Sequence, residues 1–111
     1  MSSNHEITIS VVNGAIVLSN TAENAAPGDT ITWSTTDTTY SFTVSFAQAS
    51  WPFSDSFTDS NPISVSNGSN GGPHTVHTVA AAEQDPYTVT AFSDRRDDPP
   101  TTQGEIDVAR P

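Results

Sequence analysis

The sequence predicts an all-β domain, a Greek-key β-sandwich of about seven to eight strands, on three observations. Short runs alternate apolar with hydroxylic side chains, the period of a half-buried strand. "TYSFTVSF" shows this most clearly, with Tyr40, Phe42, Val44 and Phe46 set against Ser41, Thr43 and Ser45. Turn-forming residues separate these runs at short intervals. The composition agrees: apolar residues are 33% and charged residues 14%, and Ser and Thr fill much of the remainder, which suits strands better than helices. At 111 residues the chain can bury one core but not two, so residues 1–111 are expected to form a single domain.

The elements follow in order. Ile7, Ile9 and Val11 alternate with Thr8 and Ser10 in a first strand, and Asn13-Gly14 signals the turn into a second, Ala15 to Ser19. A polar link from Asn20 closes on Pro27-Gly28-Asp29, a type II turn signature. "DTITWS" is a third strand with Ile31 and Trp33 on one face, and Tyr40 to Phe46 is the fourth. "AQASWPFSDSFTDSNP" breaks the alternation and reads as a long connection carrying Trp51, Phe53 and Phe57. Beyond it, "ISVSNG" is a short strand, "SNGGP" a flexible tip and "HTVHTVA" another strand. "PYTVTAF" turns Tyr87, Val89 and Ala91 inward, "SDRRDDPPTTQ" is a charged loop, and "EIDVAR" closes the fold with Ile106 and Val108 inward.

Three Lys and Arg residues oppose 13 Asp and Glu, a formal net charge of −10. Such a surface repels phosphate backbones and anionic bilayers, so neither nucleic acid nor a membrane is an expected partner. The charge reads either as solubility or as a face that attracts cations. The lack of cysteine excludes disulfides, thiolate catalysis, zinc–thiolate sites and iron–sulfur clusters. No apolar stretch is longer than the four residues Ala15 to Leu18, too short for a transmembrane helix, and the opening Met-Ser-Ser-Asn-His lacks the features of a signal peptide. A cytoplasmic location is expected if Met1 is the native start, and a secreted one if a signal peptide was removed.

Four segments carry a resemblance: "PGDTITW" from Pro27, "FTVSF" from Phe42, "YTVTA" from Tyr87 and the final "EIDV". Together they resemble the cupredoxins, the plastocyanin-like copper proteins. In that family a Gly-Asp-x-(apolar)-x-(aromatic) strand precedes His-x-Val, and Tyr-x-(apolar)-x-Cys leads to a second His and a Met. The resemblance implies a sandwich whose copper would need a thiolate and two imidazoles. The matching positions hold Phe42, Ala91, Asp94 and Pro99, and the single methionine is Met1. The resemblance therefore implies the fold without its electron-transfer chemistry, and no cofactor is expected.

Other groups carry more than one reading. Trp51, Phe53 and Phe57 could stack on sugar rings or anchor a protein partner, and could equally fold back to plug one end of the sandwich. Asp94, Asp97 and Asp98 offer the oxygen ligands calcium takes, but Arg95 and Arg96 sit in the same run and compete for them. His74 and His77, three apart on a strand, point to opposite faces and do not chelate one ion together. His5 pairs with neither on sequence grounds. No Gly-x-Ser-x-Gly elbow or phosphate-cradling loop occurs, so catalysis is not expected. Asn67-Gly68-Ser69 is a glycosylation sequon that matters only in a glycosylating secretory pathway.

The expected function is a non-catalytic, metal-free binding or assembly module making protein–protein contacts. A protein partner or self-association along Ser- and Thr-rich edge strands would supply them. The alternative is a carbohydrate-binding sandwich using the loop aromatics, with a structural calcium.

Overall fold

A computed structural model of the chain describes residues 3–79, 81–93 and 100–109. Among them run nine strands: β1 Asn4–Val12, β2 Ala15–Leu18, β3 Ala22–Ala25, β4 Thr30–Ser34, β5 Ser41–Phe46, β6 Ile63–Val65, β7 Gly71–Thr75, β8 Glu83–Phe92 and β9 Thr101–Val108. Only a 3-10 turn at Gln48–Ser50 and a single helical turn, α1 at Phe57–Ser60, interrupt them. The strands form two sheets, β2-β1-β4-β7 and β3-β9-β8-β5-β6. Both are mixed, because β1 runs parallel to β4 and β3 parallel to β9. The architecture is the all-β sandwich that the alternating pattern predicts.

The turn chemistry works as the residue types demand. Asn13 and Gly14 both have positive φ, 54° and 79°, the combination that lets a two-residue loop match the twist of its flanking strands. The alternation is realised as well. Along β5 the exposed or half-buried Ser41, Thr43 and Ser45 alternate with buried Phe42, Val44 and Phe46. Tyr87, Val89 and Ala91 do the same on β8. Trp33, wholly buried, lies at the middle of the core and meets Phe46, Phe53 and Tyr87 edge-on at centroid distances of 6.0, 6.0 and 5.5 Å.

Three segments differ from their expected form. The polar link after Asn20 contains β3, whose "AENA" has little strand propensity of its own. It is a strand because β9 offers it a free edge, with Ala22 opposite Glu105 and Ala25 opposite Val108. The "SNGGP" tip is half strand: Gly71, Gly72 and Pro73 belong to β7. A Cβ at Gly71 would lie 2.5 Å from Ile63 Cγ2 and 2.9 Å from Val65 Cγ2, so the glycine permits close packing there. Finally, "HTVHTVA" does not continue as one strand. β7 ends at Thr75, and Val76 makes a single bridge to Phe53 before the chain leaves the sheet at His77.

β9 also begins earlier than "EIDVAR", at Thr101, where it pairs with Thr90. Pro86 sits inside β8 yet breaks nothing. β5 pairs with β8 only from Tyr87 onward, so on that side no partner strand requires the missing N–H.

Candidate functional site

The long connection is positioned by backbone bonds to the segment after β7. Ser54 N–H donates to Thr75 O and His77 N–H to Pro52 O, both at 2.9 Å. This staple turns Trp51 and Phe53 into the sandwich, leaving them 8% and 3% exposed. Trp51 packs edge-on against Phe46, Phe53 and Phe57 at 5.5, 5.1 and 5.5 Å, and its indole N–H donates to Asp55 O at 2.8 Å. Phe57, on α1, is half-buried against the same cluster. The three aromatics therefore extend the core, and Trp51 and Phe53 offer little ring face to a ligand. Asp94, Asp97 and Asp98 lie outside the described residues, as do all three arginines.

Two of the four positions aligned with copper ligands by the sequence resemblance, Phe42 and Ala91, are among the described residues. Phe42 and Ala91 are opposite one another on β5 and β8, each 1% exposed. With two hydrocarbon side chains there and no cysteine in the chain, the donor set a blue copper centre requires is not met.

Each histidine is held by a carboxylate. His5 Nε2 lies 2.9 Å from Asp29 Oδ2 and its Nδ1 3.8 Å from Glu23. His74 Nδ1 lies 3.3 Å from Asp55, and His77 Nε2 lies 2.9 Å from Glu83 Oε1. His74 and His77 have separate partners, and His77 lies beyond the end of β7, so strand alternation does not relate them. Asp29 is a buried hub: it accepts the backbone N–H groups of Ser3 and Ala26 as well as facing His5. Those bonds, the Ala26 amide foremost and then His5, lower its carboxyl to about 2.

A second carboxylate behaves in the opposite way. Asp85 is two residues before Tyr87 on β8, hence in the inward register, and is 2% exposed. Burial pushes its carboxyl up to about 8, helped by a hydrogen bond with Glu83 and by the charges of Glu83 and Asp107. Its Oδ2 finds no donor among the described residues. His77, Glu83 and Asp85 each bring a ligand-type atom to within 4.8 Å of the others. The sequence reading did not join these three, although the inward register of Asp85 was visible from Tyr87, Val89 and Ala91.

The sheet edges differ in their protection. β7 carries Gly72 and Pro73, β6 has three residues, and β3 carries Glu23. By contrast β2, "AIVL", has neither charge nor proline. It belongs to a longer stretch, residues 7–22, without a single charged side chain in a molecule of net charge −10. Val12 and Val17, on the outward face of the β1–β2 hairpin, are 53% and 45% exposed. Phe92, 45% exposed, is the other large apolar side chain left in solvent among the described residues. With Tyr40, Asp37 and Asn67 it lines an open groove of about 530 Å³.

No protein-family model matches the sequence, and no curated protein matches it either.

Proposed function

We propose that the protein is a non-catalytic, cupredoxin-like assembly module, without that family's copper centre, which makes protein–protein contacts by adding a strand at the β2 edge. The observation that carries this reading is β2 itself: an open edge with no charge, proline or bulge, flanked by outward Val12 and Val17. Proteins usually blunt such edges, since a row of unpaired backbone groups templates another strand. The partner we assign is a second copy of this chain. Two copies at −10 each repel one another over most of their surfaces, and the charge-free hairpin is where their backbones can meet at least cost. Light scattering on the native chain and on Val17→Lys tests it, because a lysine on the edge is the usual guard against strand addition.

One observation favours a second reading, carbohydrate binding. The groove beside Phe92 pairs an exposed ring with Tyr40 and the polar side chains of Asp37 and Asn67. That would move the stacking platform from the buried Trp51 to Phe92. Retention of glycans by the native chain and their loss in Phe92→Ala would favour it over assembly.

A further inference from the structure

The start of β8, at the opposite end of that strand from Ala91, holds Asp85, whose Oδ2 is one of four buried side-chain polar atoms without a partner among the described residues. Glu83 and Asp85 are two apart on one strand and therefore share a face. His77 reaches them from the segment after β7, and its Nε2 lies 2.9 Å from Glu83 Oε1. The segment is fixed from both sides: Val76 N–H donates to Asp29 O, and His77 N–H to Pro52 O. At the floor Asp85 is 98% withdrawn from solvent and its Oδ2 accepts no hydrogen bond from the described residues. A buried carboxyl oxygen without a partner in the fold costs stability unless water or an ion satisfies it.

Neighbouring groups point to which of the two it is. Asp107, paired with Gln84 on β9, lies on the other face of the strand from Glu83 and Asp85, and it acts on Asp85 only through its charge. The group itself brings one imidazole and two carboxylates together. Entry is open, since His77 and Glu83 are 32% and 30% exposed. Glu83 and Asp107 also border a surface depression with Asn24.

We propose that His77, Glu83 and Asp85 form a divalent transition-metal site, of which zinc is the representative ion. One imidazole and two carboxylates match the ligands zinc takes, with a fourth position left to water. The imidazole disfavours calcium and magnesium, which take oxygen donors. The geometry is close to what is needed. Bonds of about 2.1 Å in a tetrahedral shell set donors about 3.4 Å apart, and here all three donors lie within 4.8 Å of one another. The ion would link the segment after β7 to β8 and satisfy the stranded Asp85 oxygen.

Isothermal titration of the full chain with zinc chloride, and with calcium chloride in parallel, tests the assignment. The expected result is one zinc per chain, weakened more than about tenfold in His77→Ala and in Asp85→Asn, and unaffected in His5→Ala and His74→Ala. His77→Ala alters a side chain one-third exposed, and Asp85→Asn keeps the shape of the floor, so both variants retain the fold; circular dichroism checks this. Absence of zinc binding would overturn the proposal. So would binding that survives His77→Ala, or a preference for calcium. None of these results bears on the β2 edge, so the two proposals stand or fall separately.

Discussion

Phe42 and Ala91 face each other across the β5–β8 ladder, both wholly withdrawn from solvent. A large ring opposite a methyl group is the kind of complementary pairing that close-packed cores use, and neither residue brings a donor atom.

That pairing predicts a packing role for Phe42. Phe42→Ala should destabilise the protein by about 3–5 kcal/mol, through lost burial plus the cavity left behind. A lower urea midpoint with an unchanged m-value checks it. A variant as stable as the native chain would mean that the ring is not part of the core.

Asp29 sets a pH dependence of definite sign. Its folded carboxyl is lowered to about 2 from an ordinary 3.8. In that window the unfolded chain binds more protons, so stability falls as pH falls. The contribution is fully present above the ordinary value and is lost on the way down to about 2. Thermal unfolding from about pH 5 to about pH 2 should show a steeper loss in the native chain than in Asp29→Asn. Parallel curves would sink the assignment.

How much of this was legible in the sequence depended on whether a residue's neighbours in the chain decided its fate. Phe42, Val44, Tyr87 and Val89 advertise their face by alternation alone, and Asn13-Gly14 dictates its own turn. β3 could not be read, because "AENA" becomes a strand only when β9 is beside it. Gly71 looked like a flexible residue, and its reason for being glycine lies across the fold at Ile63 and Val65. The buried fate of Trp51 was one of two open readings, decided by bonds from Ser54 and His77 to residues far along the chain. The His77, Glu83 and Asp85 group is likewise tertiary: two members share a strand, and the third arrives from another segment.

Assembly through β2 also predicts a salt response. Copies carrying −10 each repel through water, and that repulsion is screened as the Debye length shrinks from about 30 Å at about 0.01 M salt to about 8 Å at about 0.15 M. Self-association should therefore strengthen with added sodium chloride, as read by sedimentation velocity. An interface held by ion pairs would weaken instead.

The most direct test is the mass in solution, measured by light scattering across a range of protein concentrations at moderate salt. Strand addition at β2 predicts that the native chain moves from monomer to dimer or larger as concentration rises. Val17→Lys, altering a side chain 45% exposed, should stay monomeric with its fold intact. A native chain that remains monomeric at every concentration, or a Val17→Lys variant that associates as well as the native chain, would contradict the account.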